Sequence, residues 1–249
     1  MTKEEIRCLH EIIGVSKRIV FFGGAGVSTA SGIPDFRSAG GLYSRDFEGL
    51  DPETVLSSTF FYLHPELFFG FYRKHMLFPS ARPNAAHIFL AELERRDILR
   101  GIVTQNIDGL HKDAGNIRVY ELHGSVRENT CLECGASFPI EAVLNSDGIP
   151  RCICGGVIKP NVVLYGEPLE KYVVIGARRE ITNADMLIVA GTSLSVEPAS
   201  SFVEDFRGKH LVVINLDPTP ADSRAELVIQ ENVADVFAAL MEMEKESCR

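Results

Sequence analysis

The chain has 249 residues, 25 basic and 34 acidic, for a formal charge of −9, with 45% hydrophobic and 24% charged residues. That composition excludes collagen-like, coiled-coil and disordered chains and describes a globular protein able to bury about 70–75% of its unfolded surface. The acidic balance argues against nucleic-acid binding by phosphate neutralisation, no apolar run approaches the roughly 20 residues of a membrane span, and without a legible secretory leader the expected location is cytoplasmic.

Along the chain, short apolar runs alternate with helix-like stretches. Arg18–Phe22 is the first of five runs rich in β-branched residues and apolar on both faces, as strands buried in a parallel sheet are. It leads into Gly23-Gly24-Ala25-Gly26, the start of a dinucleotide fingerprint, in which absent side chains would let backbone N–H groups approach a pyrophosphate. Thr29 stands where a third glycine belongs, and no acidic residue closes a second strand about 20 residues on, which argues against hydride transfer. A Gly-rich turn without a ligand is the alternative. Asp35-Phe36-Arg37 then reads either as a loop covering a nucleotide or as a helix-capping turn.

Ser38–Arg82 interrupts the rhythm. It holds Gly40-Gly41 and an aromatic block (Phe60, Phe61, Tyr62, Phe68, Phe69, Phe71, Tyr72), and is too long for a bare loop, so it reads as a small helical insertion. Asn84–Arg96 follows as a helix with Ala86, Phe89, Leu90 and Leu93 on one face. The run Gly101–Thr104 ends in Gln105-Asn106-Ile107-Asp108, and Ile117–Tyr120 ends in Glu121-Leu122-His123-Gly124. His123, titrating near neutrality at the ends of strands, is a candidate general base. His111 is a weaker one, His87 reads as structural, and His10, His64, His75 and His210 read as surface or packing residues.

Residues 125–160 carry four of the six cysteines. Cys131-x2-Cys134 and Cys152-x-Cys154 read as a four-thiolate zinc site, structural because a closed set leaves no open position, although C-x-x-C is the usual second pair. Unliganded or redox cysteines are the alternative. Asn161–Tyr165, before Gly166-Glu167, is an edge strand or a backbone edge for an extended peptide. Pro168–Thr182 reads as helix, Met186–Ala190 as a strand ending in Gly191-Thr192-Ser193, Glu197–Phe206 as helix, and Leu211–Ile214 as a strand ending in Asn215-Leu216-Asp217. The last helix, Glu231–Glu246, has Val233, Val236, Phe237 and Leu240 as its stripe. The expected fold is α/β: a Rossmann-like doubly wound parallel sheet (residues 1–37, 83–124 and 161–249). A smaller discontinuous domain is made of a helical module (38–82) and a zinc module (125–160). Five strands would then deliver glycines, amides, hydroxyls, a histidine and carboxylates to one rim, where open α/β sheets bind ligands.

The blocks Gly24–Arg37 (GAGVSTASGIPDFR), Thr104–His111 (TQNIDGLH), Leu122-His123-Gly124, Lys159–Glu167 (KPNVVLYGE), Gly191-Thr192-Ser193 and Val213–Leu216 (VINL), in this order around the cysteine quartet, resemble the sirtuins. The likeness runs from about Val20 to Val233. It implies an NAD-dependent protein lysine deacetylase that consumes NAD and releases nicotinamide, O-acetyl-ADP-ribose and free lysine. It further implies one structural zinc ion per chain, and acetylated proteins or peptides bound in extended form, with no membrane or nucleic-acid partner; the chain is expected to be a monomer. Residues matching the family's NAD contacts are Ala25, Thr29, Phe36, Arg37, Gln105, Ile107, Asp108, His123, Thr192, Ser193, Asn215 and Val233. His123 and Asn106 match its catalytic pair, and Val163, Tyr165 and Gly166 its acyl-lysine contacts. Members preferring acidic acyl groups carry a tyrosine and, three positions later, an arginine. Here Tyr72 is followed by His75, which implies acetyl or another neutral acyl group. Protein mono-ADP-ribosyl transfer, or removal of longer or acidic acyl groups, is the alternative activity.

Overall fold

Six parallel strands organise the larger part of the chain in a computed structural model that describes residues 1–35, 41, 49–195 and 198–247. The elements run α1 (Lys3–Val15), β1 (Ile19–Gly23), α2 (Pro52–Val55), α3 (Ser58–Leu63), α4 (Pro65–His75), α5 (Ala85–Arg95), β2 (Leu99–Thr104) and α6 (Leu110–Asp113). They continue with β3 (Val119–Glu121), β4 (Gly124–Cys131), β5 (Ser137–Pro139), α7 (Glu141–Leu144), β6 (Ile158–Val162), α8 (Lys171–Asn183), β7 (Met186–Ala190), β8 (His210–Ile214), β9 (Leu227–Ile229) and α9 (Val233–Ser247).

The large sheet has the order β3-β2-β1-β7-β8-β9. Its direction of winding reverses between β1 and β7, the place where doubly wound sheets open a crevice at their carboxyl ends. Register brings those ends level, with Gly23 beside both Thr104 and Ala190, and Ala190 beside Ile214. Successive residues of β1 serve opposite faces. Ile19 and Phe21 enter a core with α1, α5 and α9, while Val20 and Phe22 enter one with α8 and residues 199–206. Because helices cover both faces, the strand is apolar throughout, which is why it reads as a continuous run rather than an alternating one. The predicted stripes of α5 and α9 are buried as expected.

The aromatic block forms the third core. Phe61 meets Phe68 edge-on at 5.0 Å, Phe68 meets Phe69 at 5.3 Å and stacks on Tyr72 at 5.6 Å. Val126, Val143, Val162 and Leu164 join the cluster, so the helical insertion and the segment after β3 share one interior. A second sheet, β5-β4-β6, is antiparallel.

Several elements differ from expectation. The described part of Glu197–Phe206 is a 3-10 run over Ser200–Asp205, where Ser201 turns its hydroxyl back to the Pro198 carbonyl at 2.7 Å and competes with the helical ladder. Strand β4 is not among the expected strands, because a register irregularity between Gly124 and Asn129 breaks its alternation. The edge-strand reading of Asn161–Tyr165 holds only to Val162, where β6 ends. Helix α1, closed by a Thr2–Glu5 capping box, and the three-residue β9 are further elements outside the expected set.

Candidate active site and cysteine cluster

The Gly-rich turn after β1 lies against the turn after β7. Gly24 N–H donates to Ala190 O at 3.1 Å and Gly26 N–H to Gly191 O at 2.9 Å. A Cβ on Gly24 would fall 2.7 Å from Thr192 Cβ, and one on Gly26 2.7 Å from Gly191 Cα. Both glycines are therefore needed for contact between two protein loops, a different reason from the ligand approach expected above. The chain then continues as two 3-10 turns, Ala25–Val27 and Thr29–Ser31.

Polar side chains from three loops interlock there. Gln105 donates its amide to Thr192 Oγ1 at 2.9 Å. Ser28, almost fully buried, accepts from Asn106 Nδ2 at 3.1 Å and donates to Asp108 Oδ2 at 2.7 Å, while Asp108 Oδ1 accepts from Leu110 N–H at 2.8 Å. Burial pushes the Asp108 carboxyl up, and the bonds from Leu110 and Ser28 oppose that shift. One hydroxyl thus links the amide and the carboxylate and orients both.

His123 is held from two sides. Its Nδ1 lies 2.9 Å from the Gln105 carbonyl oxygen. A carbonyl only accepts, so Nδ1 carries the proton and, in the neutral ring, Nε2 keeps the lone pair. Burial lowers the imidazole pKa below 6.5, partly offset by that bond. The His123 carbonyl accepts from Val163 N–H at 2.9 Å. Gly124, at φ +74, is required next in sequence, since a Cβ there would lie 1.9 Å from Asn161 O.

A cavity of about 590 Å³ joins these groups. Ala25, Thr29, Gln105, Asn106, Ile107, Asp108, His123, Thr192, Ser193, Asn215 and Val233 line it, together with Val163, Tyr165 and Gly166. Asp35 lines it too, whereas Phe36 and Arg37 lie outside the described residues. Tyr72 and His75, the pair compared above with the acyl-selective positions of the family, line it at the end of α4, and Met76, Phe78, Ile140 and Leu144 supply walls that no sequence motif marked. His75, expected at the surface or in packing, is buried and faces this space. The crowded aromatics at 60–72 were a further sequence signal pointing to this wall. His87 and His111 are buried in ring contact at 4.6 Å, and burial holds His87 at about 4 and His111 well below its usual range. They are packing residues.

The sulfurs of Cys131, Cys134, Cys152 and Cys154 all lie within 4.8 Å of one another, with Cys131–Cys154 at 3.5 Å and Cys134–Cys152 at 3.7 Å. A tetrahedron with Zn–S bonds of ~2.3 Å has edges of about 3.8 Å, so the set fits zinc. Both pairs sit on tight turns, closed by Gly135 N–H to Cys131 O at 3.0 Å and Gly155 N–H to Cys152 O at 2.9 Å. The shorter C-x-C spacing is thus accommodated by a tighter turn.

The Sir2 family model matches residues 24–198. The NAD-dependent protein deacetylase of Clostridium perfringens (strain 13 / Type A) is 50% identical over 242 residues, spanning 96% of this chain and 99% of that protein. That of Staphylococcus aureus (strain N315) is 44% identical over 245 residues, spanning 96% and 99%. Among solved structures, a Sir2 protein with a p53 peptide and NAD+ superposes with a TM-score of 0.84 at 37% identity, over 97% of this chain and 99% of that one. A Sir2 protein bound to acetylated peptide gives 0.84 at 35% identity, over 96% and 98%.

Proposed function

The chain belongs to the Sir2 family, and from that premise we propose that it is an NAD-dependent protein deacetylase, converting acetyl-lysine, NAD and water to lysine, nicotinamide and O-acetyl-ADP-ribose. The observation that carries the site assignment is the tautomer of His123, locked by Gln105 so that a basic Nε2 remains in the cavity lined by the described candidates for NAD and substrate contact. NAD, when bound, supplies the ADP-ribosyl group that accepts the acetyl.

The donor set suits that co-substrate. Thr192, Ser193 and Asn215 offer hydroxyls and an amide at the rim of β7 and β8, suited to phosphate and ribose, and Val233 gives an apolar end. Asn106 and Asp108, braced by Ser28, would hold the nicotinamide-side ribose and the carboxamide, with Ile107 beside them. Ala25 and Thr29, together with Phe36 and Arg37, would add further NAD contacts in this reading. His123 Nε2 takes a proton from a ribose hydroxyl, a step that needs a neutral imidazole. Val163, Tyr165 and Gly166 receive the acetylated segment in extended form. In this reading the chain divides into 1–37, 83–124 and 161–249 against 38–82 and 125–160, and NAD would lie chiefly on the first part. One zinc ion on Cys131, Cys134, Cys152 and Cys154 would be structural, since four thiolates fill its coordination.

Neutral acyl groups fit the wall best. Tyr72 is fully buried and burial pushes its phenol up, so it stays uncharged. Arg73 turns away to Ser146 and Gly148, at 3.2 and 2.7 Å, and Lys74 is exposed. The test measures nicotinamide release with NAD alone, with an acetyl-lysine peptide and with the succinyl-lysine equivalent. Release that depends on the acetyl peptide, with kcat/KM at least tenfold above succinyl, is expected. Peptide-independent release with labelling of an acceptor protein would favour ADP-ribosyl transfer instead, and faster succinyl turnover would overturn the acyl preference.

A further inference from the structure

We infer that the ion pair between Lys159 and Glu167 is a positioning device for the segment that receives the substrate, setting where Val163–Gly166 stands relative to His123. The inference rests on the deacetylase reading above. After Val162 the chain leaves β6, and its main chain is held at isolated points rather than by a strand ladder. Lys159 Nζ donates to Val162 O at 3.1 Å and to Pro160 O at 3.4 Å, and pairs with Glu167 Oε2 at 3.1 Å. The same carboxylate oxygen accepts from Leu164 N–H at 2.9 Å, while Glu167 N–H returns to Leu164 O at 2.9 Å. One lysine and one glutamate therefore close residues 160–167 into a loop, tying side chains to the main chain at three points along it.

That loop is a junction. Val163 N–H bonds the His123 carbonyl, and the Tyr165 main chain is paired both ways with the α2–α3 corner, accepting from Ser58 N–H at 2.9 Å and donating to Leu56 O at 3.0 Å. Gly166 sits at φ +88, a left-handed turn that favours glycine. The side chain of Lys159 is only 14% exposed and its ammonium lies 6.0 Å from the centre of the Phe61 ring. A charge so placed is held by its partner, and losing one member alone leaves the other uncompensated. Its placement beside the substrate segment assigns the pair to substrate binding rather than to NAD.

The experiment compares Lys159→Met/Glu167→Gln, which removes both charges together and leaves an amide oxygen for the Leu164 N–H, with Lys159→Arg and the unmodified protein. Acetyl-peptide KM is expected to rise at least fivefold in the double variant, while kcat and the KM for NAD change less than twofold and zinc content and Tm hold. Lys159→Arg, which keeps the pair, should retain the original peptide KM. If the double variant does not fold, Lys159→Gln/Glu167→Gln, which likewise leaves neither charge unpaired, gives the same reading. A peptide KM unchanged within twofold would overturn the inference, as would a parallel rise in both KM values that tracks a falling Tm. Lack of acetyl-peptide turnover in the unmodified protein would overturn the deacetylase reading and this inference with it.

Discussion

The Gln105 carbonyl, 2.9 Å from His123 Nδ1, does for this imidazole what a carboxylate does in a serine-protease triad, but without a charge. It selects the tautomer, yet it raises the pKa less than burial lowers it. A neutral base above its pKa is the active form, so depression extends activity towards acid. The acid limb of kcat is therefore expected to have its midpoint below pH 6.5, read from acetyl-peptide turnover between pH 5 and 8; a midpoint above 7 would contradict the assigned environment. His123→Ala should lower turnover by roughly 10²–10⁴-fold, the usual contribution of a general base, with Tm little changed because the ring faces a cavity. Loss of folding in that variant would instead make His123 structural.

At the scale of elements, the β5-β4-β6 sheet has little apolar support near its cysteines. The buried apolar cluster there is only Cys131, Cys152 and Ile158, with Phe138 and Ala142 alongside. A bound structural zinc supplies on the order of 10 kcal/mol or more to small modules of this kind. Removing it with a strong chelator should loosen residues 125–160 first, seen as faster amide hydrogen exchange there while β1, β2 and β7 stay protected. Activity should fall with it, because β4 begins directly after His123 and β6 leads into Val163–Gly166, the segment proposed to receive substrate. Equal loss of protection in both sheets would show that the metal supports the whole fold. The cysteines made this module legible in the sequence, but its strands were not. Spacing of ligands is a local pattern, whereas the β4–β6 pairing depends on Gly124 meeting Asn161 across a long loop.

Across the whole molecule, the buried histidines tie stability to pH. His87 Nδ1 accepts from Asn84 N–H at 3.3 Å, closing the N-terminus of α5, while Asn84 Nδ2 reaches Val27 O at 2.8 Å beside the cavity. Protonating Nδ1 would remove that acceptor. With a folded pKa of about 4 against 6.5 unfolded, the unfolded chain binds more protons in between. Stability is therefore fully present above pH 6.5 and lost as pH falls towards 4, by about 3 kcal/mol from this residue. His111 acts in the same direction. Urea midpoints from pH 7.5 to 4.5 should fall across this window, and His87→Gln should flatten the slope; an unchanged slope would exclude His87 as the source.

Residue order alone is enough to read the alternation of buried strands and striped helices, the residues at the strand ends and the thiolate quartet. Each of these rests on periodicity or spacing within a few neighbouring residues. The fold alone explains why Gly24 and Gly26 are glycines, brings Gln105 to Thr192 from 87 positions away, and sets Met76, Phe78, Ile140 and Leu144 in the cavity wall. Those contacts join residues distant along the chain, and side-chain pattern records which face is buried but not which surface it is buried against.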